Sequence, residues 1–150
     1  MTAELTWNED VRPEWIDYNG HLSEAYYVLV FGHATDAFMV HLGMTPEYLL
    51  ETATSLFTLE AHVRYLDQIP PAAHLEVRSA VIGVKGKLVW LWHEMFCEGR
   101  LRASEEVLMV HVDTDSGRST PMPDELRGRA EALLAPVPEH ASSRIAVART

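Results

Sequence analysis

From Ser23 to His41 the chain contains no proline, and apolar residues fall on nearly every side of a helical wheel. A helix without a broad polar face must be covered by something large, and this constrains the fold more than any other feature of the sequence. Gly32, His33, Thr35, Asp36 and His41 interrupt the run, so it predicts a buried helix of a globular protein and not a hydrocarbon span. Gly43 is placed to end it. Beyond the helix the apolar period changes. Across Leu56 to Leu66, Phe57, Leu59, Ala61, Val63 and Tyr65 alternate with Thr58, Glu60, His62 and Arg64, the pattern of a half-buried strand. His74 to Val84 alternates again, Lys85-Gly86-Lys87 predicts a hairpin turn into Leu88 to Glu98, and Gly99-Arg100 turns the chain into Leu101 to Asp113. An earlier strand at Leu5 to Val11, a short helical turn at Pro46 to Leu50 and a closing helix at Met122 to Leu134 complete the expectation. The fold class is α+β: an antiparallel sheet of about five strands, four of them in a meander, wrapped around one long helix. Residues 1–134 form the domain and 135–150 a C-terminal tail with no apolar pattern of its own.

A chain of 150 residues with 47% apolar content is long enough for one packed core. Twelve Lys and Arg against 22 Asp and Glu leave a formal charge of -10, which disfavours nucleic acid and anionic membrane surfaces as partners. One cysteine, Cys97, excludes an intramolecular disulfide and a zinc site built on several cysteines. With no basic start leading into an apolar run, the expected location is the cytoplasm. Eight histidines are present, but none stands at a spacing such as His-Glu-x-x-His, so no metal is expected.

The densest polar cluster, Asp17-Tyr18-Asn19-Gly20-His21, lies where a strand hands over to the start of the long helix. The first amides of a helix have no internal partners and can polarise a carbonyl or hold an oxyanion. A carboxylate and an imidazole beside them can serve as nucleophile, base or acid. The plainer reading is a cap and an Asn-Gly turn.

The run Val11-Arg12-Pro13-Glu14-Trp15-Ile16-Asp17-Tyr18-Asn19-Gly20-His21, followed by an apolar helix and strands, resembles the hotdog-fold thioesterases of the 4-hydroxybenzoyl-CoA thioesterase superfamily. The Asp17, Asn19, His21 triplet is similar to that of plant acyl-carrier-protein thioesterases, whose glutamate in a Leu-Glu pair has its counterpart in Leu59-Glu60. The resemblance thus implies a catalytic set of Asp17, Asn19, His21 and Glu60. In one related enzyme the aspartate falls at the place of Asn19, and in another class the carboxylate is on the helix, which nominates Asp36. Within the superfamily, Asp17 to Gly43 with Thr58 to Asp67 and Met109 to Asp113 most resembles betainyl-CoA thioesterases and the thioesterase-like region fused to some carnitine dehydrogenases. That implies hydrolysis of a short acyl-CoA to glycine betaine and CoA in carnitine breakdown, with no cofactor. The carbonyl would be held by amides of Leu22, Ser23 and Glu24. Trp15, Tyr18 and Tyr27 are candidates to face a trimethylammonium group, and Arg64 is a further substrate-binding candidate.

By periodicity Glu60 shares a face with His62 and Arg64 away from the helix, so it reaches a site only through a partner subunit or a bulge. His33 is expected to be a hydrogen-bonded core residue. Lys85, Lys87, Arg100 and Arg102 are candidates for CoA phosphates. Long sheet edges predict a homodimer, or a homotetramer of paired dimers. A hydratase or dehydratase on the same fold, or an acyl-CoA binding module, are the alternatives.

Overall fold

The computed structural model describes residues 5–139 and 141. Strand β1 (Leu5–Asp10) leads through a 3₁₀ turn (Pro13–Trp15) to α1 (Glu24–His41) and α2 (Pro46–Thr52). Strands β2 (Thr54–Tyr65), β3 (His74–Lys85), β4 (Leu88–Cys97), β5 (Arg100–Asp113) and β6 (Arg118–Ser119) follow, and α3 (Asp124–Glu131) comes last. All pairings among the strands are antiparallel, in the order β1-β3-β4-β5-β2, with β6 attached to β5. The sheet curls around α1, the α+β hotdog arrangement.

The expected four-strand meander holds only for β3, β4 and β5. Strand β2 pairs with β5 instead of β3, so the connection 66–73 crosses from one edge of the sheet toward the other. It passes the start of α1, where the Leu22 amide donates to Ile69 O at 2.9 Å and the Val11 amide to Ala73 O at 2.8 Å. Two prolines, Pro70 and Pro71, suit a connection that must not join a ladder.

Two apolar clusters fill the space between α1 and the concave face. Val30, Phe31 and Ala34 pack with Leu75, Val77, Met95 and Ala103. Toward the helix C-terminus, Phe38, Leu42 and Met44 pack with Leu91, Met109 and, from α3, Leu126. One sheet covers one side of a helix. Val28, Leu29 and Val40 therefore remain 43%, 41% and 52% exposed, against the expectation of a helix covered all round. On the outer face Ile82, Trp90, Trp92 and Leu108 form a third cluster against which Ala141 packs, and the Ala135 amide donates to Val81 O at 2.8 Å. The first residues of the expected tail thus lie along the sheet; 140 and 142–150 are outside the described residues.

A bulge between Thr58 and Glu60 shifts the phase of β2. Leu56 and Thr58 before it, and Ala61 after it, all line the space beside α1. Phe57 and Leu59, assigned by simple alternation to the buried face, are instead 50% and 55% exposed.

Candidate active site

The polar cluster is built by a tight reversal. The Asp17 carboxylate accepts from the Asn19 amide at 2.8 Å, and Gly20, at φ 79°, donates its amide to Asp17 O at 3.0 Å. A positive φ here favours glycine. The reversal is closed by the Asp17 amide on His21 O and by a bridge between Ile16 and Leu22. A purely structural role therefore accounts for one oxygen of the Asp17 carboxylate. The other takes no part in the turn.

The reversal sets Asp17, Asn19 and His21 along a cleft of about 750 Å³ whose other walls are the first turn of α1, Tyr65 at the end of β2, and Gln68 from the crossover connection. Asp17 and His21 are half-buried, and His21 Nδ1 is buried without a hydrogen-bond partner among the described residues. Such a nitrogen is costly to leave unpaired, so a group arriving in the cleft that bonds it recovers that cost.

The amides expected to hold a carbonyl are only partly available. Those of Leu22 and Ser23 donate to Ile69 O and Trp15 O, and that of Tyr26 returns to Ser23 O. Among the described residues no carbonyl accepts from Glu24 or Ala25, the first two residues of α1. Ser23 stands at the cap position, yet its side chain makes no capping bond, which leaves these two donors facing outward. The helix-terminal amides that meet no carbonyl among the described residues are thus those of Glu24 and Ala25, one step further along than expected.

Tyr27 and Tyr65 meet edge to face at 5.0 Å. Their hydroxyls donate to Asp67 O at 3.3 Å and Glu24 O at 3.1 Å. Burial pushes the Tyr27 phenol above its ordinary value, and Tyr65 is raised by burial and then by the carboxylates of Glu24 and Glu105. Both are hydroxyl donors at neutral pH.

Residues 11–130 match the family described as the thioesterase-like superfamily. The chain belongs to it. A betainyl-CoA thioesterase from Pseudomonas aeruginosa is 40% identical over 141 residues, with 89% of each chain covered. An L-carnitine dehydrogenase/betainyl-CoA thioesterase from Agrobacterium fabrum is 36% identical over 144 residues, a match to 93% of this chain and 30% of that longer protein. A Staphylococcus aureus protein solved in complex with CoA superposes with a TM-score of 0.85 at 25% identity, covering 93% of this chain and 92% of that one.

Several sequence candidates lie elsewhere in this thioesterase-like fold. Trp15 is 4% exposed, stacked on Tyr26 at 5.4 Å with the Arg12 guanidinium over its ring, so it is core and does not line the cleft. Tyr18 does line it but is 97% exposed. Glu60 and Arg64 fall outside the cleft: Glu60 is exposed beside the bulge of an edge strand, and Arg64 borders a small pocket with Trp92 and Glu94 on the outer face. Asp36 lies more than two helical turns beyond Tyr27, away from the cleft, and His33 is tied to Glu9, its Nδ1 2.5 and 2.9 Å from the two carboxylate oxygens. The four basic residues divide between opposite ends of β4: Lys87 bonds Ser119, whereas Arg100 and Arg102 reach Asp67 beside the cleft.

Tyr65 and Gln68 belong to the cleft without any local mark of it. Tyr65 is visible in the sequence as the polar-tipped end of an apolar alternation, but nothing nearby reveals that the connection after it crosses over the helix.

Proposed function

We propose that the chain is an acyl-CoA thioesterase, with betainyl-CoA as its substrate and glycine betaine and CoA as its products. The observation that carries the reading is the convergence on one cleft of a half-buried carboxylate, an imidazole and the first turn of α1, where no carbonyl among the described residues accepts from the Glu24 or Ala25 amide. The name of the Pseudomonas relative supports the acyl group. In this reading the amides of Glu24 and Ala25 hold the thioester oxygen, which gains charge as water adds to the carbonyl carbon. Asp17 takes the proton from that water, Asn19 orients it, and His21 bonds the developing tetrahedral centre. Collapse breaks the C–S bond, and the sulfur leaves as thiolate and is protonated to CoA.

The reading extends to a homodimer. Strand β2 is an edge of the sheet among the described residues, with Phe57 and Leu59 exposed on it and Val28 exposed beside it, an aggregation hazard unless a second copy covers them. Glu60, on that edge, would enter the partner's cleft. The cytoplasm suits the buried free thiol of Cys97.

A thiol-release assay on betainyl-CoA, 3,3-dimethylbutyryl-CoA and crotonyl-CoA tests the activity. Free thiol from betainyl-CoA is expected. Loss of the enoyl absorbance of crotonyl-CoA without thiol would instead indicate a hydratase, and binding with neither change a carrier. Mixing Asp17→Asn and Glu60→Gln chains tests the shared site: partial recovery of activity requires sites drawn from both copies, and light scattering that finds an active monomer contradicts the dimer.

A further inference from the structure

In a betainyl group the quaternary nitrogen is one methylene from the carbonyl carbon, about 2.5 Å away by the geometry of an N–Cα–C unit. Whatever recognises that nitrogen must therefore line the cleft itself, beside the first turn of α1. Glu105, buried on the rung opposite His93 of β4, lines a separate space further along the helix and is out of reach.

A quaternary ammonium has no N–H and takes no directional hydrogen bond. It needs a surface that touches its methyl groups and carries negative potential, and an aromatic face supplies both. The aromatic side chains nominated by the sequence offer none: Trp15 is core, Tyr27 is 4% exposed, and Tyr18 stands almost wholly in solvent. Tyr65 does offer one. It lines the cleft at the end of β2 and is 48% exposed, and its edge-to-face contact with Tyr27, at 83°, can occupy no more than one face of its ring. Its hydroxyl donates to Glu24 O at 3.1 Å, which fixes the ring beside the first turn of α1. The charges of the cleft agree. Asp17 and Glu24 line it, and among the described residues no Lys or Arg does.

We infer that the open face of the Tyr65 ring receives the quaternary ammonium of the acyl group, and that Tyr65 is the residue that selects a cationic acyl group over a neutral one of the same shape. The inference rests on the thioesterase reading and deepens it by naming what recognises the acyl group at that site. With the thioester oxygen at the Glu24 and Ala25 amides, a head one methylene from the carbonyl falls within the ~6 Å over which a cation is attracted to an aromatic face. The Glu24 carboxylate, which bears on the Tyr65 phenol, adds negative charge on the same side of the cleft. The Tyr65 hydroxyl is spent on the helix carbonyl, so the ring is the part left to meet the acyl group.

The test is kcat/KM for betainyl-CoA divided by that for 3,3-dimethylbutyryl-CoA, in which carbon replaces the nitrogen. The ammonium also activates the adjacent carbonyl by induction, whatever holds it, so the quantity read is the change in this ratio from protein to protein. Tyr65→Phe keeps the ring and loses only the hydroxyl; both substrates should weaken alike, and the ratio should stay within about twofold of wild type. Tyr65→Leu removes the aromatic face and should lower the ratio about 3- to 30-fold. If the leucine variant does not fold, ring-fluorinated phenylalanines at position 65 take its place. They keep the shape and withdraw electron density from the face, and the ratio should fall stepwise with each added fluorine. A ratio unmoved by Tyr65→Leu or by fluorination overturns the inference and leaves the thioesterase intact, as does a ratio that Tyr65→Phe lowers as far as Tyr65→Leu. Failure of the wild type to release thiol from either substrate overturns the thioesterase reading itself.

Discussion

The two ends of α1 sit under the same sheet but have opposite chemistry. At the C-terminal end Phe38, Leu42 and Met44 are 0 to 1% exposed, and Leu126 of α3 closes the cluster. At the N-terminal end the helix opens onto a polar cleft, where, among the described residues, two amides meet no carbonyl and a buried imidazole nitrogen has no hydrogen-bond partner. One end of the helix is closed by apolar packing, and the polar cleft lies at the other. The crossover connection 66–73 therefore does more than join strands. Its Ile69 carbonyl takes up the Leu22 amide, while no carbonyl among the described residues accepts from Glu24 or Ala25.

If the two ends are separable, substitutions there affect different measurements. The largest effect is expected from Asp17→Asn. The amide oxygen can still accept from the Asn19 amide, so the reversal persists, while kcat for thioester hydrolysis falls by about 10²- to 10⁴-fold. Unchanged kcat would remove Asp17 from the chemistry. Phe38→Ala is the converse: about 3 to 5 kcal/mol of stability is lost in urea unfolding, with kcat per folded molecule near wild type. A proportionate loss of kcat would mean that the two ends are coupled.

Midway along α1, the His93–Glu105 rung gives a third test. Burial lowers His93 from 6.5 to about 3, so the unfolded chain takes up a proton there that the folded chain does not. Its contribution to stability is complete above pH 6.5 and is lost as pH falls toward 3. Glu105, raised from 4.5 to about 7, runs the other way: its contribution is complete below pH 4.5 and is lost as pH rises through 7. Between these limits the slopes oppose, each at most about 1.4 kcal/mol per pH unit. Denaturation at several pH values should show Glu105→Gln gaining stability up to pH 6.5 and then levelling, and His93→Gln losing it from pH 4.5 upward. Parallel profiles in both variants would contradict the assignment. The smallest effect is expected from Tyr65→Phe, which removes the hydroxyl from Glu24 O and should cost about 0.5 to 1.5 kcal/mol, read as a lower melting temperature and a raised KM.

Much of the fold is legible locally. The alternation in β3 and β4, the hairpin at Lys85-Gly86-Lys87 and the proline-free run ending at Gly43 each announce an element through a period or a turn residue. The polar reversal at Asp17 to His21 is visible too, and it lies in the cleft. The faces that side chains occupy are not legible in the same way. One extra residue at the β2 bulge exchanges the sides of Phe57 and Leu59, and a stack with Tyr26 withdraws Trp15 from the substrate side.

Element types, family membership and the residues of the reversal are thus written in the amino-acid order, because helix and strand periods and turn preferences act over a few neighbours. Folding in three dimensions adds that β2 lies beside β5, that among the described residues the amides of Leu22 and Ser23 are taken while those of Glu24 and Ala25 are not, and that Glu105 is buried. Each of these depends on residues far away along the chain: Ile69 for Leu22, Arg100 to Asp113 for β2, and α1 for Glu105. Burial and hydrogen-bond satisfaction are properties of such distant pairs, and no local pattern carries them.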